Sequence, residues 1–153
     1  MNEHEIIRSD YASTIRPFPI QAPNIPSGSV YFFYTESCLE YEVRFGQKKD
    51  NCLGHVVNFG VLNDEFENEY SLTNKGETFR IIATVIEIIK LFHANHPTSN
   101  SYEFTGEFKS DENKESSIRS RLYYRIACRV LACPWHAEML GNKVVVTRLR
   151  HPI

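Results

Sequence analysis

Two groups of residues in this chain have the types and the spacing that ligand binding needs. The first lies in the stretch SLTNKGETFR (71–80) and consists of Asn74, Lys75, Gly76 and Arg80. If a helix begins here, its free backbone N–H groups and its dipole favour an anion. The glycine lets a phosphate approach the backbone closely, and the two cationic side chains add charge. The alternative is a capped helix start, and the acidic residue after the glycine opposes an anion there.

Three arginines spaced four residues apart form the second group: Arg121, Arg125 and Arg129. This spacing places them on one face of a helix, and guanidinium groups make planar two-point contacts with phosphate or carboxylate. The neighbouring Tyr123 and Tyr124 could stack on a base. One interpretation is therefore a nucleotide or nucleic-acid phosphate site. The other is a solvated helix face paired with nearby acidic residues, each pair contributing about 0–1 kcal/mol.

Three common sequence motifs of enzymes are missing from the chain. The chain contains no G-x-S-x-G nucleophile motif, no P-loop and no dinucleotide fingerprint. Cys133 and His136 have the spacing of two metal ligands, but the cysteines form no CxxC pair that could complete a site. We therefore expect no metal and no resident cofactor.

The composition is that of an ordinary folded domain. The chain has 153 residues, of which 42% are hydrophobic and 24% are charged. A formal net charge of −2 argues against a general basic surface for nucleic acid. The first residues, MNEHEIIRSD, lack the pattern of a secretory signal, and no apolar run approaches the roughly 18 residues of a membrane span. We expect a cytoplasmic protein with reduced cysteines.

Residues 1–29 are expected to form an extended arm, and residues 30–153 the domain itself. Four of the seven prolines lie within residues 16–29. Proline fixes φ and removes a backbone donor, which disfavours both helix and central strand. A short edge strand is expected around residues 15–20.

Hydrophobic periodicity predicts an α+β fold. Alternation and β-branched or aromatic content predict strands at 29–34, 39–45, 54–62, 69–73, 101–106 and 143–150. Helical spacing predicts helices over 75–94 and 116–132, each ended by a proline. The predicted fold class is a single α+β domain. It has a mostly antiparallel sheet of five to six strands and two helices, in the order β-β-β-β-α-β-α-β.

The first predicted helix is apolar around almost its whole circumference. Polar side chains interrupt it at Arg80, Thr84, Glu87 and Lys90. Such a helix must be covered on more than one side, by the sheet and also by the second helix, the arm or a second subunit. The leading functional interpretation is therefore a small soluble binding or regulatory module. It would act through a homodimer or a protein partner, without its own catalysis.

The element order, with a glycine before a long helix and an LY pair on the next, resembles the GCN5-related N-acetyltransferase fold. The stretch TNKGET (73–78) is similar to that family's Q/R-x-x-G-x-G/A loop, which cradles the pyrophosphate of acetyl-CoA. Gly76 matches the central glycine, and the first and last marker positions are threonine instead. In that family a tyrosine on the following helix acts as general acid toward the CoA thiolate, which implies Tyr123 or Tyr124. The resemblance covers residues 39–150 and implies the alternative function, an acyl-CoA-dependent N-acyltransferase.

A second likeness, nearer in sequence, is to a family of uncharacterised single-domain bacterial proteins of about this size. Its members share a helix with an N-x-G start and an ATV segment, a strand that ends in Thr-Gly, and an R-LY-R helix start. The matching residues here are Asn74, Gly76, Ala83, Thr84, Val85, Thr105, Gly106, Arg121, Leu122, Tyr123 and Arg125. This resemblance implies the fold and no particular activity.

Overall fold

Seven strands and two helices make up the described part of the chain, which in this computed structural model covers residues 16–62, 75–105 and 113–149. In chain order the elements are β1 (Ile20–Gln21), β2 (Val30–Tyr34), β3 (Glu40–Gln47), β4 (Gly54–Val61), α1 (Lys75–Asn95), β5 (Ser101–Thr105), α2 (Asn113–Val130), β6 (Trp135–Leu140) and β7 (Lys143–Arg148). The α+β fold predicted from the sequence is confirmed.

The strands form one sheet in the order β1-β2-β3-β4-β5-β7-β6. Every neighbouring pair is antiparallel except β4 and β5, which are parallel. Parallel strands need a long crossover connection, and α1 lies in the crossover from β4 to β5. The mostly antiparallel sheet with some parallel pairing, predicted from the helix–strand alternation, is therefore present.

Both helices pack on the same face of the sheet. Phe92 of α1 stacks on Phe45 of β3 with ring centroids 4.0 Å apart. Tyr123 of α2 lies 5.8 Å from Phe59 of β4. Phe45 is the register partner of Val57, two residues before Phe59, and side chains two residues apart on a strand share a face. The core therefore lies between this face and the helix pair.

The apolar circumference of α1 is covered within the chain. The buried apolar residues of this helix are Ile81, Ile82, Ala83, Val85, Ile86, Ile88, Ile89 and Phe92. The sheet covers one side, where Phe92 stacks on Phe45 of β3, and α2 covers another. The N-terminal segment crosses a third side, where the Phe18 N–H donates to Thr84 Oγ1 at 2.8 Å. The prediction that this helix is covered from several sides is confirmed, and elements of this chain supply the cover.

Replacing Thr84 with valine tests how the N-terminal segment is attached. The Thr84 side chain is fully buried, and its hydroxyl accepts from Phe18 N–H and donates to the Arg80 carbonyl. Valine has nearly the same shape but leaves the buried Phe18 N–H without this acceptor. We expect the free energy of unfolding, measured by chemical denaturation, to fall by about 1–3 kcal/mol. Thr84→Ser, which keeps the hydroxyl, is the control, and an equal loss in that variant would contradict the explanation.

The C-terminal hairpin departs most from the prediction. The sequence predicted one strand at 143–150, but the structure has two, β6 and β7, with Leu140 paired to Lys143. Gly141, with φ of 63°, takes the first central position of the two-residue turn, where type II′ turns use glycine. The prediction missed β6 because Ala137, a small residue, is its one buried side chain.

The helices lie close to their predicted positions. The first helix begins at Lys75, as predicted, and ends at Asn95, one residue after the predicted end. The second helix, predicted over 116–132, begins three residues earlier at Asn113 and ends two residues earlier at Val130. Neither helix has the combination of length and hydropathy that a membrane-crossing helix needs, among the residues that the structure describes. The predicted strand at 69–73 lies outside the described residues.

Candidate functional site

The parallel pair of β4 and β5 is joined at one end. The register pairs are Gly54–Ser101, His55–Tyr102 and Val56–Glu103, and the pairing goes no further within the described residues. Both strands continue beyond that point, to Val61 and Thr105. Among the residues that the structure describes, backbone N–H and C=O groups on the facing edges therefore have no ladder partners across this space. We call it the β4–β5 gap, bounded by residues 57–61 of β4 and 104–105 of β5.

Three aromatic rings line the helix side of the β4–β5 gap. Phe59 lies 5.8 Å from Phe104 and 5.8 Å from Tyr123, and the rings of Phe104 and Tyr123 are 6.3 Å apart. Phe104 and Tyr123 are buried and Phe59 is half-buried. The second helix thus brings one of the two sequence-predicted tyrosines to the point where the strands separate.

Tyr124, the other predicted tyrosine, lies elsewhere. Successive side chains on a helix point about 100° apart, so the two neighbours cannot serve the same site. A side-chain hydrogen bond with Cys128 raises the pKa of Tyr124, and the nearby Glu138 carboxylate of β6 acts in the same direction. The structure therefore separates two candidates that the sequence left open.

Lysine contacts hold the closed end of the parallel pair on the face opposite the helices. Glu103, the last β5 residue that pairs with β4, accepts from Lys48 Nζ at 3.0 Å and from Lys143 Nζ at 3.2 Å. Burial acts to raise the pKa of Glu103, but the two lysines outweigh burial and keep this pKa below its ordinary value. Glu103 therefore ties β5 to β7 and to the β3–β4 turn at the place where the gap opens.

A histidine cluster, His55, His93 and His96, holds the closed end on the helix side. His55 Nδ1 lies 2.7 Å from Ser99 Oγ, and His93 Nδ1 lies 3.0 Å from the Tyr102 hydroxyl. Burial lowers the pKa of both His55 and His93. These contacts fix the amino ends of β4 and β5, so the two strands are held together at one end and separated at the other.

Arg80, predicted from the sequence as an anion ligand, makes contacts within the fold. Its Nε donates to the Arg16 carbonyl at 2.7 Å, and its Nη1 donates to the Glu36 carboxylate at 2.6 Å. The guanidinium carbon also lies 4.0 Å from the centre of the Phe18 ring, a cation–π contact. Its charge therefore serves to attach the N-terminal segment and the β2–β3 loop to α1.

The start of α1 carries the remaining residues of the predicted anion site. Lys75 and Gly76 belong to the first turn of the helix, and Asn74 lies outside the described residues. Glu77 follows in the same turn and accepts a hydrogen bond from Ser37 Oγ at 3.0 Å. A carboxylate at a helix N-terminus is favoured by the dipole, so this helix start supplies an anion of its own.

The predicted arginine stripe lies on the surface of α2. Arg121, Arg125 and Arg129 are all exposed. The guanidinium of Arg129 lies 5.8 Å from the Phe79 ring of α1. The stripe is thus a cationic surface on the second helix, and it reaches the contact between the two helices at its C-terminal end.

Phe59, Phe104 and Glu103 are not among the site residues predicted from the sequence. Their pattern is that of ordinary strands, and nothing in it marks where a parallel pair stops. One available signal was the element order, because a strand–helix–strand crossover indicates parallel neighbours. Ligands in open sheets bind at the carboxyl ends of such strands, and Phe59 and Phe104 lie near those ends.

Metal binding finds no support in the described residues, where no group of three potential ligands has an arrangement that could hold a metal ion. Cys133, one of the two candidate metal ligands, is an exposed free thiol, as are Cys38, Cys52 and Cys128. Comparisons of the chain with protein-family models, with curated proteins and with solved structures found no match.

Proposed function

We propose that this protein is an acyl-CoA-dependent N-acyltransferase that binds the acyl-CoA in the β4–β5 gap. The observation that carries the proposal is the parallel pair that stops at Val56–Glu103 while both strands continue. In open sheets, ligands bind at the carboxyl ends of strands where neighbouring connections diverge. The element order implied by the acetyltransferase resemblance, a meander followed by helix, strand and helix, also occurs here.

The chemistry of the gap suits the pantetheine arm of CoA. This arm is an extended chain with amide groups, and such a chain can add to an exposed strand edge as a further strand does. Residues 57–61 provide such an edge. The rings of Phe59 and Phe104 lie beside it, and they would shield the thioester from water.

Tyr123 is the residue to which we assign proton transfer. In the reaction an amine attacks the thioester carbonyl, the new C–N bond forms, and the C–S bond breaks to release the CoA thiolate. The amine nitrogen loses one proton to solvent as the amide forms, and the thiolate gains one from the Tyr123 hydroxyl, which acts as general acid. Solvent then returns a proton to the tyrosinate, so that the next cycle starts from the phenol. The buried position of Tyr123 between Phe59 and Phe104 supports this role.

The binding or regulatory module without its own catalysis, which is the leading interpretation of the sequence, takes second place. Its motive was an apolar helix that needed a partner, and the sheet, α2 and the N-terminal segment cover that helix. We therefore place the acyltransferase first. The third candidate function is binding of a nucleotide or nucleic-acid phosphate by the exposed arginine stripe. The experiment below distinguishes it from acyl-CoA binding in the β4–β5 gap.

Isothermal titration calorimetry tests the proposal. We expect acetyl-CoA to bind with a Kd below about 1 mM, at least tenfold tighter than adenosine 3′,5′-bisphosphate, which lacks the pantetheine arm. Tenfold corresponds to about 1.4 kcal/mol. No binding of acetyl-CoA at millimolar concentration would contradict the proposal. Equal affinity for the two ligands would show that phosphate charge alone is recognised, which would favour the arginine stripe.

A further inference from the structure

Residues 92–100 dock the end of α1 onto the amino ends of β4 and β5. The Asn100 N–H donates to the Leu53 carbonyl at 2.8 Å, and Ser99 Oγ donates to the same carbonyl at 3.3 Å. His55 Nδ1 lies 2.7 Å from Ser99 Oγ, and Ser99 is buried. A backbone amide, one hydroxyl and one imidazole thus connect this segment to residues 53–55.

Phe92 lies at the centre of the docking surface. Its ring is stacked between Phe45 at 4.0 Å and His96 at 3.9 Å, and the His55 ring meets it edge-on at 5.0 Å. A neutral imidazole packs well in such surroundings, whereas an imidazolium loses hydration there. Of the two imidazoles that contact this ring, His55 is the one that also bonds to Ser99.

His93 makes the second connection, to Tyr102 of β5 and Trp135 of β6. Its Nδ1 shares a hydrogen bond with the buried Tyr102 hydroxyl at 3.0 Å, and its ring meets the Trp135 ring edge-on at 5.1 Å. Burial lowers the pKa of His93, and the positive charge of Arg148 lowers it further. The dipole of α1 acts the other way, because it favours a cation at this helix end.

We propose that residues 92–100 form a pH-sensitive latch that releases the amino ends of β4 and β5 when His55 and His93 are protonated. In the part of the chain that the structure describes, four titratable or charged groups face these two imidazoles: His96 just after α1, Tyr102 on β5, Tyr31 on β2 beside Tyr102, and Arg148 on β7. Burial raises the pKa of both tyrosines, so they stay neutral in the relevant range. The charges that act on the imidazoles are therefore positive.

The direction of the effect follows from linkage. In the open latch both histidines are hydrated and titrate near their ordinary pKa of about 6.5, whereas in the closed latch their pKa values are lower. The closed latch is therefore most stable above pH 6.5, and it loses stability as the pH falls from there toward the closed-state pKa. At pH 5.5 each histidine can raise the opening constant by up to about tenfold.

The chain contains its own reporter for this process. Trp135 is the single tryptophan, and because protonated imidazole quenches indole emission, its fluorescence reports protonation of His93. Amide hydrogen exchange of residues 92–100, corrected for intrinsic rates and compared at pH 7.5 and pH 5.5, reports opening. We expect the fluorescence to titrate below pH 6.5 and the corrected exchange to rise several-fold at least, while β2 and β3 stay protected.

Histidine variants distinguish opening of the latch from a loss of stability of the whole domain at low pH. The double variant His55→Gln and His93→Gln should lose both pH responses, and His136→Gln, an exposed histidine outside the cluster, should behave as the wild type. Fluorescence that titrates while exchange stays constant would overturn the latch, as would exchange that rises uniformly over the sheet. If the double variant does not fold, the test depends on the wild type alone. There the pH-dependent rise in amide exchange of residues 92–100 is compared with the exchange of β2 and β3. These measurements need no ligand, so the latch stands or fails independently of acyl-CoA binding.

Discussion

Replacing Tyr123 with phenylalanine is expected to lower the rate of acyl transfer by about 100-fold, because general acid catalysis typically contributes 10²–10⁴-fold. The ring, with its contacts to Phe59 and Phe104, is retained in the variant, so affinity for acetyl-CoA should change little. The expected signature is therefore a fall in kcat without a matching rise in the Kd of acetyl-CoA.

Tyr124→Phe is the matched control, since the same hydroxyl is removed one residue away at a position that faces Cys128. We expect its turnover to stay close to that of the wild type. Release of CoA should be followed by chromatography with a panel of amines. A thiol reagent would also react with the four exposed cysteines. Equal losses in both variants, or none in either, would contradict the role assigned to Tyr123.

Replacing Phe92 with alanine is expected to lower the free energy of unfolding by about 3–5 kcal/mol. The Phe92 ring is buried between Phe45 and His96 and also meets His55 and Tyr102. Removing it leaves a cavity where α1 meets the sheet, in addition to the lost burial. Chemical denaturation followed by circular dichroism measures the change.

Leu91→Ala is the control for the Phe92 variant, because Leu91 is the next residue on the same helix and is 38% exposed. We expect a loss below about 1 kcal/mol there. If the alanine variant at position 92 does not fold, Phe92→Leu should still show a loss of about 1–2 kcal/mol. Similar losses at positions 91 and 92 would mean that the stack does not anchor the helix.

The sequence predicts the helices well because their apolar positions repeat over many residues. Ile82, Val85, Ile86 and Ile89 follow the helical period, and all four are buried. The strand β6 was not predicted, because a strand with one small buried residue shows little alternation of apolar and polar side chains. Short edge strands acquire their structure from the neighbouring strand, here β7, and not from their own pattern.

The candidate site was harder to predict because it depends on distant parts of the chain. Arg80 has the residue type of an anion ligand, but Phe18 and Glu36 come from other segments and engage its charge. The choice between Tyr123 and Tyr124 depends on how α2 is rotated against the sheet. The β4–β5 gap depends on where a parallel pair stops, which no local pattern encodes.

The most direct test of the proposed function is a map of backbone amide shifts by nuclear magnetic resonance during titration with acetyl-CoA. We predict saturable shifts of the amides of residues 57–61 and 104–105, with the same Kd as calorimetry gives. Shifts confined to the surface of α2 around Arg121, Arg125 and Arg129, or no shifts at millimolar acetyl-CoA, would contradict binding in the β4–β5 gap.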